Sequence, residues 1–273
     1  MNQKPLLIAR RPIADGHRGL MLDYPMLEGD GTTLYDYAGN GIEGAFDSTN
    51  TPTWSPGAMG HAVTFARNDM VVVPNRDIIR PLAAWSISFW MKATDAESNF
   101  VCGQSDGTGT REWYLARSSA NDLLFVIFGS VTVKVATSDL TEFAFGSDWA
   151  HICVTLDGSE DATNIKMYRD GALKTHNGTG AWGTLNDSGG PLWVGRYANA
   201  TNDFAGELSN LKIANREWTQ SEVVADYKDA FARYRHDEIA LWSAATLGGA
   251  PPVGNAPTGH IYGPLVGCLG GPL

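Results

Sequence analysis

Eleven short strand-like runs, separated from one another by Gly, Asn, Asp and Ser, constrain this chain more than any other feature. They read HAVTFA, MVVVP, WSISFWMKA, NFVCGQ, EWYLARS, LLFVIFG, VTVKVAT, HICVTL, IKMYR, PLWVGRY and GELSNLKIA. Runs of this length at this spacing specify an all-β sandwich of two antiparallel sheets. In the stretch after Trp149, residues Ile152, Val154 and Leu156 alternate with His151, Cys153 and Thr155, the period of two of a strand. His151 is thereby placed in a strand, and Asp170-Gly171 is the dipeptide that suits a two-residue hairpin turn. The 31 Gly and 13 Pro support a turn-rich β chain. A single helix is predicted after Thr219, where Glu222 completes a capping box ahead of SEVVADYKDAFARY.

The formal charge of −10 and the scattering of Lys and Arg argue against nucleic acid as a partner. The N-terminal residues lack the order of a secretory signal, and no segment approaches the roughly 18 apolar residues of a membrane span. The expectation is synthesis in a cytosol and no membrane partner. Cys102, Cys153 and Cys268 are too few and too far apart to suggest a disulfide framework or a zinc site. The sequons at Asn177, Asn186 and Asn199 are read as chance matches on a chain without a secretory signal.

At 273 residues the chain divides into an N-terminal arm (1–18), one sandwich domain (19–230) and a C-terminal arm (231–273). After Glu238 no charged residue occurs, yet Trp242, Ile261, Tyr262 and Leu265 are present. A sandwich of this size buries its own core, so these side chains are assigned to assembly with neighbouring subunits.

Candidate chemistry is sparse. Gly103-Gln104-Ser105-Asp106-Gly107 matches the G-x-S-x-G pattern, but a nucleophile elbow needs a helix after the serine, and TGTREWYLARS reads as turn and strand. No strand run carries the closely spaced carboxylates of a glycosidase. No catalytic residue is therefore assigned. In LYDYAGNGIEG, Asp36 and Asn40 are candidate calcium ligands, the alternative being that they hold a Gly-rich turn. Trp85, Trp90, Trp149 and Trp193 fall in or beside strands and read as core. Trp54 and Trp182 fall in polar loops, where a ring packs in the core or at the rim, or else stacks on a sugar.

The ordered series LYDYAGNGIEG, PTWSPGAMGHAVTF, WSISFWMKA, DWAHICVTLDG, IKMYRDGAL, LWVGRY and FAGELSNLKIANREWTQSEV resembles the concanavalin A-like, laminin G-like jelly-roll family. The resemblance implies two curved antiparallel sheets, often a calcium ion at one rim, and a binding or scaffold role. Ser209 stands where many members have Asp. The plan of the whole chain is similar to virion structural or decoration proteins of tailed bacteriophages. That resemblance implies a non-catalytic homo-oligomeric virion component, assembled in the host cytoplasm with other virion proteins as partners. The alternative is a carbohydrate-binding module or adhesin whose partner is a cell-surface glycan. If the C-terminal arm mediates assembly, deleting residues 239–273 leaves a folded sandwich that sediments as a smaller species than the full chain. Each exposed arm side chain is otherwise worth about 1.5 kcal/mol on burial.

Overall fold

The computed structural model describes residues 19–94, 99–118, 122–137, 148–196 and 203–231. Among them the chain forms β1 (Leu20–Tyr24), β2 (Thr33–Leu34), β3 (Gly44–Phe46), β4 (Thr53–Pro56), β5 (His61–Phe65) and β6 (Val71–Val73). The middle of the chain gives β7 (Trp85–Ala93), β8 (Asn99–Ser105), β9 (Arg111–Arg117), β10 (Leu123–Phe128), β11 (Thr132–Ala136) and β12 (Ala150–Leu156). Then follow β13 (Lys166–Arg169), β14 (Ala172–Lys174), β15 (Leu192–Val194), β16 (Gly206–Ala214) and the helix α1 (Gln220–Lys228). Every one of the eleven runs read from the sequence falls on one of these strands. The arm residues Trp242, Ile261, Tyr262 and Leu265 lie outside the described residues.

Two eight-stranded antiparallel sheets pack face to face. Sheet I runs β14-β13-β12-β7-β16-β5-β4, with β1 also paired to β16; sheet II runs β11-β10-β9-β8-β15-β6-β3-β2. Strand β16 organises sheet I. One edge pairs with β7, and the other is shared between β5 at Gly206–Leu208 and β1 at Leu211–Ala214. The register shifts between Ser209 and Lys212, where Asn210 has φ 54°. The Asp170-Gly171 turn forms as expected, with both residues at positive φ (51° and 78°) between the paired residues Arg169 and Ala172.

The core between the sheets centres on aromatic contacts. The Trp85 and Trp113 rings meet edge-on at 5.0 Å, and Trp85 stacks with Phe125 at 6.2 Å. Trp85 Nε1 donates to the Ile79 carbonyl at 3.1 Å, so this buried indole keeps a polar partner.

At its centre, sheet I is buried on both faces. In β12, Ala150, Ile152, Val154 and Leu156 enter the main core, while His151, Cys153 and Thr155 are equally buried on the opposite face. Helix α1 covers part of that face. It is started by the predicted capping box, in which Thr219 accepts from the Glu222 N–H and Glu222 accepts from the Thr219 N–H. Val223 packs with Leu20, Cys153, Tyr168, Ala214 and Trp218 in a second apolar cluster.

Beneath the helix lies a polar network. Lys212, buried on β16, pairs with Asp226 of α1 and also donates to the Ala230 carbonyl at 3.3 Å. Ser88 Oγ donates to Asp226 Oδ2 at 2.6 Å, and His151 Nε2 lies 3.0 Å from the same oxygen. Trp90 stacks on Tyr227 at 5.7 Å and meets the His151 ring at 5.4 Å. Burial alone would push the Asp226 carboxyl up. The Lys212 ammonium and the His151 contact outweigh it and hold the carboxyl far below the ordinary carboxylate range.

A depressed folded pKa contributes stability that is present above the unfolded value of about 4 and is lost as the pH falls below it. The wild-type protein therefore loses stability progressively below about pH 4. Asp226→Asn is less stable at neutral pH and has a shallower acid limb in urea unfolding measured across that range.

Candidate binding face

With the far side of sheet I partly under α1, the outward face of sheet II is the other broad surface of the sandwich. The pairing register places one residue from each strand in a single row across it: Thr33, Ala45, Val72, Trp193, Gly103, Tyr114, Val126 and Lys134. Their chain neighbours Leu34, Phe46, Val71, Leu192, Cys102, Trp113, Phe125 and Val133 all point into the main core. Period-two alternation then fixes the row as outward-facing.

Two half-buried aromatic residues, Trp193 and Tyr114, flank Gly103 in this row. A Cβ on Gly103 would meet the Trp113 carbonyl oxygen and Tyr114 Cβ at 2.5 Å, so only glycine fits the step between the two rings. Trp193 is tethered, because its Nε1 donates to the Ser105 carbonyl at 3.0 Å. Tyr114 is held between Phe128 at 5.8 Å and Phe100 at 6.1 Å. The Arg111 guanidinium lies 5.8 Å from the Phe128 ring centre. Burial pushes the Tyr114 phenol pKa up, with the Arg111 charge opposing, so the group remains a neutral O–H donor at physiological pH.

The end of the sandwich nearest Ser105 is braced by buried polar contacts. Glu112, fully buried, accepts from Arg80 Nε at 2.6 Å and from the Ser188 hydroxyl at 2.6 Å. Gln104 Nε2 donates to Asn75 Oδ1 at 2.7 Å. These contacts tie the loops around the β8–β9 turn to the sheet.

Ser88, His151 and Asp226 bring together the residue types of a hydrolytic triad, but not its geometry. A triad uses one imidazole nitrogen for the serine and the other for the acid. Here Ser88 and Asp226 share His151 Nε2, Ser88 donates to the carboxylate, and Ser88 and His151 are 1% and 0% exposed. The group is a clamp for α1. Ser105 of the G-x-S-x-G match is also buried. It ends β8 ahead of a turn in which Asp106 accepts from the N–H groups of Thr108, Gly109 and Thr110, with β9 following instead of a helix.

A groove of about 480 Å³ opens at the start of the β13–β14 hairpin, lined by Thr163, Lys166, Leu173, Lys174 and His176 among others. Its imidazole is committed: His176 Nε2 donates to the Ile165 carbonyl at 2.6 Å, and Nδ1 accepts from the Gly178 N–H at 3.1 Å. Lys166 is paired with Glu217. The groove therefore has less to offer a ligand than the aromatic row.

Residues 65–224 match the family model described as the concanavalin A-like lectin/glucanases superfamily, of the laminin G type. The chain belongs to this superfamily. Solved structures with the same sandwich include the binding domain of Paraclostridial Mosquitocidal Protein 1, at TM-score 0.63 and 14% identity, covering 80% of this chain and 54% of that one. The binding domain of Botulinum neurotoxin DC in complex with rat synaptotagmin II matches at TM-score 0.61 and 15% identity, covering 79% of this chain and 52% of that one. The same neurotoxin domain in complex with SialylT matches at TM-score 0.61 and 14% identity, with coverages of 79% and 52%. The chain thus spans about half the length of the solved structures it matches, and at these identities the likeness is one of fold. No curated protein matches the chain in sequence.

Within this lectin-like sandwich the residues singled out from the sequence fall in different places. Trp182 is 3% exposed and belongs to the main core, so of its two readings the packing one holds and the sugar-stacking one is corrected. Trp54 lies in β4, half-buried against Phe46 at 5.6 Å, with its Nε1 donating to the Gly31 carbonyl. It is a rim-packing residue. Trp193, expected in the core, stands instead on the outward face. The signal was present in Leu192-Trp193-Val194 and Trp113-Tyr114-Leu115, where alternation points the central ring away from its neighbours.

Asp36 is 1% exposed, and its carboxylate faces the main chain. Oδ1 accepts from the N–H groups of Asp23 and Ala38, and Oδ2 from those of Asn40 and Ile42. A carboxylate offers about four lone-pair sites, and the main chain takes four. Asn40 is exposed and donates through its side-chain amide to the Met21 carbonyl at 2.9 Å. Among the described residues no three His, Cys, Asp or Glu side chains form a metal-ligand set. Asp36 and Asn40 fit the turn-holding role and do not fit a calcium ion. Asp36→Ala, which strands these N–H groups, is expected to cost roughly 3 kcal/mol. Calcium should leave the Tm of the wild-type protein unchanged in scanning calorimetry; a rise abolished by Asp36→Ala would restore the metal role.

Proposed function

We propose that this protein is a non-catalytic carbohydrate-recognition module that binds a cell-surface glycan on the outward face of sheet II. The observation that carries this reading is the pair of half-buried aromatic residues, Trp193 and Tyr114, on either side of Gly103. The apolar C–H face of a pyranose ring packs on an aromatic face, while its hydroxyls need polar groups at the periphery. Arg111, Thr132 and Lys134 are exposed on the neighbouring strands and supply donors. The tether on Trp193 and the flanking rings on Tyr114 fix both side chains before a ligand arrives, which reduces the entropy lost on binding.

The superfamily contains lectins, and the solved neighbours are named as binding domains, one in complex with a protein and one with SialylT. Those properties belong to the neighbours and lend support to a binding role here. A place in a virion, with other copies of the chain and other virion proteins as partners, depends on residues 1–18 and 232–273. Those segments lie outside the described residues, and the described ones favour the binding reading.

Glycan-array screening followed by calorimetric titration tests the proposal. Trp193→Ala and Tyr114→Ala should each weaken binding by about tenfold, or ~1.4 kcal/mol, with thermal stability nearly unchanged. Trp54→Ala should leave affinity intact. Glycan binding that survives both changes on sheet II would overturn the assignment.

A further inference from the structure

The row on sheet II also has a spacing. Trp193 on β15 and Tyr114 on β9 are separated by one strand, β8, which contributes Gly103. Tyr114 and Lys134 on β11 are likewise separated by one strand, β10, which contributes Val126. At about 4.8 Å per strand, each interval is roughly 9.6 Å. One strand step is close to the advance of one ring in an extended, equatorially linked sugar chain, and two steps span a pair of rings. Such a flat chain presents equivalent rings at alternate positions. Rings stacked on Trp193 and Tyr114 would therefore be followed, at the next equivalent position, by one beside the Lys134 ammonium.

Gly103 sets no side chain between the two platforms; with the Trp113 carbonyl and Tyr114 Cβ crowding its position, the floor there is main chain and the base of Tyr114, over which the intervening ring would lie. Val126, 3% exposed, is the low apolar floor of the second interval. Beyond it stands Lys134, exposed, while Arg111 lies beside the row on the strand of Tyr114, over Phe128. The Lys134 ammonium makes this end of the row cationic on a chain whose formal net charge is −10, and it complements a carboxylate or sulfate on the sugar.

We infer that the ligand is an extended, equatorially linked acidic glycan that crosses the strands of sheet II, with alternate rings on Trp193 and Tyr114 and an anionic group at Lys134. The inference rests on the reading of this face as the binding face and adds the chain geometry and charge of the ligand.

Three probe sets separate the possibilities: hexasaccharide and disaccharide fragments of hyaluronan, cellulose-derived hexasaccharides, and maltohexaose, whose axial linkages curve the chain. The full-length protein should bind the hyaluronan hexasaccharide about tenfold more tightly than the neutral cellulose fragment at low salt. Lys134→Gln, or added salt, should erase that preference while leaving the neutral fragment unaffected. Disaccharides, which reach one platform, should bind far more weakly than hexasaccharides. Equal affinity for the acidic and neutral chains would overturn the charge assignment. Binding of maltohexaose as strong as that of the extended chains, or of disaccharides as strong as hexasaccharides, would overturn the crossing geometry. In either case loss of binding in Trp193→Leu and Tyr114→Leu would still uphold the binding face. Failure of all probes, together with glycan binding elsewhere that ignores those two variants, would overturn both.

Discussion

The Lys212–Asp226 pair fixes the layer that covers sheet I. Lys212 projects from β16 on the side away from the main core, and in water-free surroundings an ammonium there is tolerable only beside an anion. Asp226 of α1 supplies it, and Ser88, His151 and the Ala230 carbonyl satisfy the remaining donors and acceptors. Removing one partner from a buried pair costs about 3–5 kcal/mol, more than a surface ion pair contributes. The helix itself is only nine residues long and would be marginal alone. Its place is set by this charge pair and by the packing of Val223 and Trp218, not by its own propensity.

That arrangement divides the two sheets by role. Sheet I is packed on both sides at its centre, with β12 buried along its whole length. Sheet II buries one side against the core and turns Trp193, Tyr114, Phe128 and Lys134 outward. An antiparallel sheet tolerates this because its side chains alternate strictly between faces. The same rule that fills the core with Trp113, Leu115, Phe125 and Ile127 turns their neighbours to the opposite face of the sheet. The fold contributes the register that brings residues far apart in sequence into one row.

The contrast between Asp36 and Glu112 shows how buried carboxylates serve such a scaffold. Asp36 gathers main-chain N–H groups of a Gly-rich turn, and Glu112 gathers the Arg80 guanidinium and the Ser188 hydroxyl. Each is a loop anchor whose lone pairs are spent inside the protein. The abundance of Asp in the loops of this chain has the same basis in several places: Asp47, Asp106, Asp157 and Asp161 each accept from main-chain N–H groups two to four residues ahead.

The eleven strand runs, the hairpin at Asp170-Gly171, the capping box at Thr219 and the two-sheet class were legible in the sequence because each is a local pattern: alternation, turn chemistry, a side chain reaching three residues along. The strands β1 to β4 were not: β1 pairs with β16, far along the chain, and β2 to β4 lie in Gly-, Thr- and Ser-rich stretches that read as turns. Alternation placed His151 opposite Ile152 and Val154 but said nothing of the helix that covers it. The partners Lys212 and Asp226 come from β16 and α1, and only the packing of those elements brings them to His151. Sequence left Trp182 open between packing and sugar and marked Trp193 as core; the packed sandwich buried the first and turned the second outward, because exposure depends on what the rest of the chain lays over a ring. The row from Trp193 to Lys134 exists only through cross-strand register, a long-range property that no local spacing encodes.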